Sequence, residues 1–241
     1  MPKLNALVAG STGYIGVQLI KLLVKHKYIN IKYLCGNSSA GKNISLYDKT
    51  LSKHKLPKIV KFNKKLLKDI HIVFTALPNG EAHDISKHLN KNHTLIDLAA
   101  DFRLEKASDY LKWYKQKHRA TNLIKKSIYL LPEINRKEIK KYNIISCPGC
   151  YPTSILLPLF PLFKKNLIKL NNIIIDSKSG YSGAGKTKDK EQLLEEVYEN
   201  ITTYGVGDHK HIAEINQELT IHNNDKDVEV FFSANLIPVE R

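Results

Sequence analysis

The sequence predicts an α/β protein of two domains, a parallel-sheet domain followed by an α+β domain. Three observations support this fold class. The first apolar run ends in a glycine-rich turn that leads into a helical pattern, strand-like and helix-like segments alternate behind it, and a new apolar segment begins near Pro148. Alternation of strands and helices is typical of a parallel sheet. We therefore expect one domain over residues 1–147 and a second over residues 148–241.

The elements of the first domain are short apolar runs that stop at polar or turn-forming residues. The last strand-like run before residue 80 stops at Pro78-Asn79-Gly80, and a loop rich in Gly, Ser and Asn follows the second strand. The pattern predicts strands over 4–9, 29–35, 70–77 and 94–98, and helices over 17–25 and 81–90.

The second domain begins with an apolar segment over 151–165, which is helical in pattern. Pro158 and Pro161 should kink or break this helix, because proline lacks the backbone N–H and clashes with the preceding turn. Strands over 172–176 and 229–236 and a helix over 190–200 are expected to follow. The last residues end where a sheet should continue, so we expect the chain to be truncated at its C-terminal side.

Composition limits the class of protein. No apolar run approaches the roughly 20 residues of a membrane span, no signal-peptide pattern opens the chain, and three cysteines are too few for a disulfide framework. These features favour the cytoplasm and give no reason to expect a membrane partner. The net charge of +15 could indicate nucleic acid, but only four of the 38 basic residues are arginine and the lysines are scattered. A solvated lysine surface is therefore favoured over a nucleic-acid footprint.

The glycine-rich turn predicts a dinucleotide site. It has the sequence Gly10-Ser11-Thr12-Gly13-Tyr14-Ile15-Gly16 and lies between the first strand and the first helix. Glycines allow the backbone to turn tightly and to approach a pyrophosphate, while the helix N-terminus offers unpaired N–H groups. This pattern favours a Rossmann-type domain, although a purely structural turn is the alternative.

The loop after the second strand favours NADP over NAD. NAD-binding folds place an acidic residue there to bind the ribose 2′-hydroxyl. This chain has no acid in the loop but carries Ser38, Ser39 and Lys42, whose hydroxyl and ammonium groups suit a 2′-phosphate. An ordinary polar loop is the alternative.

The segment Cys147-Pro148-Gly149-Cys150-Tyr151-Pro152 predicts a nucleophile at Cys150. This cysteine would lie at the start of a helix, where the helix N-terminus stabilises a thiolate. Three other interpretations are open: a redox dithiol, a zinc site with His209 and His211, and a buried structural cysteine. The spacing to the histidines is far longer than that of zinc fingers, and no metal site is expected.

Two further motifs carry chemistry. His209 and His211 lie just ahead of a predicted helix and could act as general acid or base near neutral pH; a surface histidine pair is the alternative. The segment from Gly180 to Thr187 matches the phosphate-loop pattern of nucleotide triphosphatases. We disfavour that function because Lys178 and Ser179 are expected to interrupt the preceding strand, and no later strand supplies an Asp for Mg²⁺.

Together these motifs resemble the N-acetyl-gamma-glutamyl-phosphate reductases of the aspartate-semialdehyde dehydrogenase superfamily. The resemblance runs from Gly10 to Arg241 in the family's order, which makes it specific. Its segments are GSTGYIG, TALPNGEAH, LIDLAADFRL, YLLPEINR, PGCYPTS, DSKSGYSGAGKT, YGVGDHKHIAEI and NLIPVER.

The resemblance implies NADPH-dependent reduction of N-acetylglutamyl phosphate to the semialdehyde through a Cys150 thioester, a step of arginine biosynthesis, in a homo-oligomer. His209 or His211 would move the proton, and the motif fits either. Related acyl phosphates (carrier-linked aminoadipyl phosphate, aspartyl phosphate) and an inactive NADP-binding fragment are the alternatives. Beyond the glycine turn, the resemblance implies cofactor contacts at Pro78, Ser182 and Gly183 and substrate contacts at Arg103, Lys178, Ser179, Lys186 and Glu214.

Overall fold

The computed structural model describes residues 2–184, 195, 197–223 and 228–240. The chain divides into two compact units. The first contains Met1–Leu111 and Gln116–Cys147, and the second contains Lys112–Lys115 and Pro148–Arg241. In the described part of the chain, no helix has both the length and the apolar character needed to cross a bilayer.

The first unit is built on a seven-stranded sheet in which every pairing is parallel. In chain order the strands are β1 (Leu4–Ala9), β2 (Ile29–Cys35), β3 (Ile59–Val60), β4 (Ile72–Thr75), β5 (Thr94–Asp97), β6 (Ser127–Tyr129) and β7 (Ile144–Ser146). Their order in the sheet is β3-β2-β1-β4-β5-β7-β6. The direction of winding changes between β1 and β4, and the crevice at such a point is where open α/β sheets bind ligands.

Strand β1 shows why this sheet forms. Ala6 and Val8 join an apolar cluster on one face, whereas Leu7 and Ala9 join a second cluster on the other. All four side chains are almost fully buried, so the strand is apolar on both faces from Ala6 to Ala9, as expected for a parallel sheet covered on both faces.

Seven α-helices are described, and they differ from the sequence predictions mainly at their ends. The first begins directly after Gly13, earlier than its apolar pattern suggested, and the second ends at Ser86. The helices are α1 (Tyr14–Leu23), α2 (Glu81–Ser86), α3 (Ala107–Tyr114), α4 (Thr121–Ile124), α5 (Pro132–Asn135), α6 (Cys150–Lys164) and α7 (His211–Ile221). Short 3-10 helices cover Ile44–Leu46, Lys49–Lys53, Lys64–Asp69, Arg136–Lys141 and Tyr181–Ala184.

The second unit contains a three-stranded sheet and the two longest helices of the described chain. Strands β8 (Ile173–Gly180), β9 (Thr202–Tyr204) and β10 (Val230–Ile237) have the order β8-β10-β9. β10 pairs parallel with β8 and antiparallel with β9. The helix predicted over 190–200 lies largely outside the described residues.

Two details of this unit differ from what the sequence predicted. Helix α6 is not broken at Pro158 or Pro161, since it runs through both; burial of Leu156 and Phe160 in its core-facing side offsets the lost backbone hydrogen bonds. Lys178 and Ser179 do not interrupt the strand before Gly180 either, because β8 continues through them in register with β10. That argument against the phosphate-loop function therefore fails.

Candidate active site

The glycines of the first turn have different structural roles. Gly10 has φ +80°, and a Cβ there would collide with the backbone oxygen of Ala76. A Cβ on Gly16 would collide with the oxygen of Gly10. At Gly13, by contrast, a Cβ would meet its nearest neighbour at 3.6 Å, an ordinary contact. Gly10 and Gly16 are therefore required by the turn and by helix packing, whereas internal packing leaves room beside Gly13.

The N-terminus of α1 follows this turn. Gly13 caps the helix without a side-chain hydrogen bond, and the partial positive charge of a helix N-terminus favours an anion. Ser11 is fully buried, and both its N–H and its Oγ donate to the carbonyl of Cys35 at 3.1 Å. Ser11 thereby ties the turn to the end of β2. Thr12 and Tyr14 are half-buried, and Ile15 is exposed.

Only two of the three polar residues predicted to bind the cofactor in the loop after β2 are exposed to solvent. Ser38 and Lys42 are exposed, but Ser39 is 2% exposed. Its Oγ occupies the space in which a Cβ of Gly36 would lie, so this hydroxyl packs inside the loop. The loop is joined to β3 by the N–H of Gly41, which donates to Ile59 O at 2.7 Å.

A cavity of about 300 Å³ opens at this edge of the sheet, between the turn after β1, the loop after β2 and the start of α2. Its acidic residues are Glu81 and Asp84. Asp84 is neutralised by Arg119, whose Nη2 lies 2.7 Å from its carboxylate. Pro78, in the segment that leads from β4 to α2, is exposed.

A buried carboxylate holds that segment in place. Asp101 accepts hydrogen bonds from the N–H groups of Gly80 (2.6 Å) and Ala82 (3.0 Å) and from the hydroxyl of Tyr110 (2.9 Å). Its carbonyl faces Nε2 of His118 at 2.8 Å, and burial lowers the pKa of this histidine to about 4. Because Gly80 has φ +94°, the turn needs both a glycine and this acid.

Arg103 is 8% exposed, and backbone carbonyls fix its guanidinium. Nε donates to Cys147 O at 2.9 Å, and Nη2 donates to Leu98 O at 3.3 Å. The N–H of Cys147 in turn donates to Asp97 O at 2.8 Å. Burial raises the pKa of the Cys147 thiol to about 11, so this cysteine is protonated at neutral pH.

Asp97 is the second buried acid of this edge. Its Oδ1 accepts from the hydroxyl of Thr75 at 2.6 Å and from the N–H of Ala99 at 3.1 Å. Burial, reinforced by the charge of Asp101, raises the pKa of Asp97 to about 6, although the Thr75 hydrogen bond and Arg103 oppose the shift.

In the second unit, Cys150 is the first residue of α6 and is exposed. The preceding Gly149 caps the helix, and its carbonyl accepts from both the N–H and the Oγ of Thr153. A cysteine at this position lies beside the positive end of the helix dipole.

His211 lies against the residue that precedes this cysteine. A Cβ built on Gly149 would be 2.5 Å from Nε2 of His211, so only glycine leaves room for the imidazole. The fully buried Glu214 connects the two residues: its Oε2 accepts from the N–H of Gly149 at 3.0 Å, and its Oε1 is 3.9 Å from His211 Nε2.

His209 has a different environment. Its ring lies edge-on to Tyr151, Tyr204 and Phe232, at centroid distances of 5.3 to 5.5 Å. Its Nδ1 accepts from the N–H of His211 at 3.2 Å. Burial, with Lys210 adding to the effect and Asp208 opposing it, lowers the pKa of His209. The structure thus distinguishes two histidines that the sequence could not.

Two family models match most of the chain. Residues 5–142 match the semialdehyde dehydrogenase NAD binding domain, and residues 150–241 match the semialdehyde dehydrogenase dimerisation domain. The chain belongs to the semialdehyde dehydrogenase family. Among curated relatives, it is 42% identical to the N-acetyl-gamma-glutamyl-phosphate reductase of Ehrlichia canis over 99% of this chain and 69% of the relative. It is 41% identical to that of Clostridium novyi over 97% of this chain and 68% of the relative.

Solved structures of semialdehyde dehydrogenases have the same fold. Aspartate semialdehyde dehydrogenase from Candida albicans, determined with NADP, superposes with a TM-score of 0.63 at 19% identity, covering 99% of this chain and 69% of that one. Aspartate semialdehyde dehydrogenase II from Vibrio cholerae gives 0.64 at 17% identity, covering 99% and 71%. The predicted class, a Rossmann-type parallel-sheet domain followed by a smaller α+β domain, is confirmed.

The remaining predicted residues lie in the part matched to the dimerisation domain. Lys178 forms an ion pair with Asp176. Ser182 donates from its hydroxyl to the carbonyl of Glu240, and a Cβ on Gly183 would be 2.5 Å from Oγ of Ser179. Lys186 lies outside the described residues.

Sequence reasoning missed Asp97 and Asp101 as organising residues of this semialdehyde dehydrogenase fold. Both lie in the segment Leu95 to Leu104, which was noted only for its arginine. The sequence did contain a signal for them. Asp97 lies at the carboxyl end of a buried strand, and Asp101 lies two residues before Arg103. A carboxylate in such a place is costly to bury unless it accepts hydrogen bonds.

Proposed function

We propose that this chain is an acyl-phosphate reductase that converts N-acetylglutamyl phosphate to N-acetylglutamate semialdehyde with NADPH, as in arginine biosynthesis. One observation carries the proposal: an exposed cysteine begins helix α6, and the preceding glycine leaves room for His211. The names of the curated relatives, which match nearly the whole chain at about 40% identity, support the same reaction and substrate.

The first half-reaction uses the cysteine. The thiolate of Cys150 attacks the acyl carbon, the bond to the phosphate oxygen breaks with its electron pair, and a thioester with free phosphate results. In the second half-reaction, bound NADPH supplies a hydride to the thioester carbon. The hemithioacetal oxygen gains a proton and later loses it as the C–S bond breaks, which releases the aldehyde and restores the thiolate.

His211 is the proposed acid and base. Its Nε2 lies beside Gly149, next to the nucleophile, where it can take the thiol proton and later serve the hemithioacetal oxygen. Glu214 is a positioning residue, because it holds the N–H of Gly149 and faces the imidazole. His209 is enclosed by aromatic rings, and we assign it the role of supporting His211.

The cofactor site fits a dinucleotide. The space beside Gly13 and the uncapped N-terminus of α1 suit a pyrophosphate. No acid follows β2 to bind a 2′-hydroxyl, and the exposed Ser38 and Lys42 suit a 2′-phosphate, which favours NADP. Ser39 would shape the loop from inside. The resemblance to the family adds Pro78, Ser182 and Gly183 to this site.

Substrate recognition is proposed at five positions. The guanidinium of Arg103 is oriented by two carbonyls and matches the geometry of a phosphate or carboxylate. The family pattern adds Lys178, Ser179, Lys186 and Glu214 as further contacts of the acyl phosphate.

We propose that the two domains predicted from the sequence have different roles in the reaction. Residues 1–147 would bind the cofactor, and residues 148–241 would carry the chemistry. The match to a dimerisation domain supports a homo-oligomer, a dimer or a tetramer. The three free cysteines suit a reducing compartment, so we place the protein in the cytoplasm.

The reaction is tested in the reverse direction. Purified chain is incubated with NADP, phosphate and N-acetylglutamate semialdehyde, and NADPH is followed by its absorbance. Cys150→Ala should abolish the signal, whereas Cys147→Ala, a matched control that removes the half-buried thiol three residues earlier, should retain most of it. A folded chain that binds NADPH but gives no signal with this substrate, and a signal with aspartate semialdehyde, would refute the proposed substrate. No signal with either would refute the proposed activity of the chain.

A further inference from the structure

A second cavity lies at the opposite edge of the parallel sheet. Its volume is about 450 Å³, larger than the cavity beside the glycine turn. It opens where three neighbouring strands, β5, β7 and β6, begin, whereas the proposed cofactor site lies where β1 and β4 end. It is lined by Ser86, Leu89, Asn90, Lys91, His93, Leu123, Lys125, Lys126, Lys141, Tyr142, Asn143 and Ile144.

Three of the four lysines around this cavity have no acidic partner among the described residues. Lys91, Lys125 and Lys126 are exposed and form no ion pair within the described residues. The fourth lysine, Lys141, pairs with Glu138 at 2.6 Å. No acidic residue lines the cavity. Like charges gathered around one concavity repel each other and raise the local concentration of anions.

An adjoining cavity extends the same basic region. Its volume is about 510 Å³, and it shares Asn90 and His93 with the first. Lys64, Lys65 and Lys68 contribute its charge, and again no acid lines it. The cavity beside the glycine turn is different, since it has two acids and no lysine. Seven lysines therefore line these two neighbouring cavities, although most lysines of the chain lie elsewhere in the sequence.

His93, which lines both cavities, is held in place by two hydrogen bonds to the backbone. His93 is 7% exposed; its Nδ1 accepts from the N–H of Asn90 at 3.0 Å, and its Nε2 faces the carbonyl of Leu67 at 3.1 Å. An Nδ1 that accepts leaves the proton on Nε2, which then donates to Leu67. The ring is thus neutral and serves to hold the backbone, and the lysines supply the charge.

We propose that the 450 Å³ cavity binds a phosphorylated small molecule of nucleotide size that carries two or more phosphates, a nucleoside polyphosphate. The three unpaired lysines would bind the phosphates as point charges. Leu89, Leu123 and Ile144 offer an apolar surface, beside the ring of Tyr142, that a bare inorganic ion would not use. The volume lies in the range of small-molecule sites, roughly 300–1,000 Å³. This site is independent of the reductase activity.

Binding of ATP to the full chain tests this site, with saturating NADPH present to fill the cofactor site. Titration calorimetry compares the wild type with Lys125→Glu/Lys126→Glu. The matched control is Lys53→Glu/Lys55→Glu, which makes the same charge change on exposed lysines away from both cavities. Loss of two charge-assisted contacts predicts at least about tenfold weaker ATP binding for the cavity variant and less than about a twofold change for the control.

Two further measurements, binding of tripolyphosphate and binding of NADPH, separate this proposal from simple anion binding and from misfolding of the variants. Inorganic tripolyphosphate should bind more weakly than ATP, because it has no part that contacts the apolar surface. Retained NADPH binding shows that each variant is folded. The proposal is overturned if ATP does not bind, if both double variants weaken it equally, or if tripolyphosphate binds as tightly as ATP. Binding of single-stranded RNA that depends on Lys125 and Lys126, without ATP binding, would likewise overturn it in favour of a nucleic-acid surface.

Discussion

Adding one methyl group at Gly149 would displace the proposed proton-transfer group, His211, while leaving the Cys150 side chain unaltered. The backbone at this residue has φ −66° and ψ 165°, a region open to alanine. Gly149→Ala therefore introduces no backbone strain, and its effect comes from contact with His211 alone.

The size of the effect follows from the distances. The new Cβ would lie 2.5 Å from Nε2 and 2.9 Å from Cδ2 and Cε1 of His211. An ordinary contact needs about 3.5 Å, so the imidazole must move by about 1 Å. A misplacement of that size can lower a rate by about a hundredfold. Stability should fall by only about 1 kcal/mol, the lower end of overpacking costs, because the displaced atoms are the end of one side chain.

The assay is steady-state NADPH formation, combined with urea unfolding and a titration of NADPH. We expect kcat to fall about a hundredfold, with little change in cofactor affinity. On a His211→Ala background the same methyl group should have almost no effect on kcat. Wild-type kcat in Gly149→Ala, or an equal loss on both backgrounds, would refute the assigned role of His211.

Three other substitutions test the remaining contacts. His211→Asn should lower kcat by about 10² to 10⁴-fold, as for loss of a general acid–base, and flatten the pH profile, whereas His209→Asn should cost much less; equal losses would contradict the assignment. Asp101→Ala removes a buried acceptor of three hydrogen bonds and should lower the free energy of unfolding by about 3 kcal/mol or more, with Asp101→Asn intermediate; unchanged urea midpoints would contradict this. Asp97 has its folded pKa raised to about 6 from 3.8, so its contribution is full below pH 4 and is lost as the pH rises through 6, by up to about 3 kcal/mol. Asp97→Asn removes the titrating group, so the difference in unfolding free energy between wild type and variant should change between pH 4.5 and pH 7.5; an unchanged difference would show that Asp97 does not titrate in this range.

Much of the fold could be predicted because some elements carry their own signal. The bounds of β1 and β2 match the structure, since each is a mainly apolar run that a glycine ends. The strand Ile144–Ser146 was missed because a run of three residues is too short to show a period. Helix α6 was expected to kink or break, and it does not break, because local rules count the missing hydrogen bonds of two prolines but not the burial of its apolar side.

The site was predictable in its residue types but not in its geometry. Both histidines belong to one short motif, and only packing against Gly149 separates their environments. The importance of Asp97 and Asp101 depends on which N–H and O–H groups surround them, and that information arises from strands distant in the sequence. Ser39 has the right chemistry for a cofactor contact, yet the loop turns its side chain inward.

The central claim is that Cys150 forms a thioester, and intact-protein mass spectrometry tests it most directly. The chain is mixed with N-acetylglutamyl phosphate in the absence of NADPH and quenched with acid. The masses of the intact chain and of its proteolytic peptides are then measured, and free phosphate is determined in parallel. The account predicts one acyl group per chain on the peptide that contains Cys150, an equal amount of phosphate, loss of both in Cys150→Ser, and release of the adduct when NADPH is added. Turnover with NADPH but no adduct, or an adduct that persists in Cys150→Ser, would contradict it.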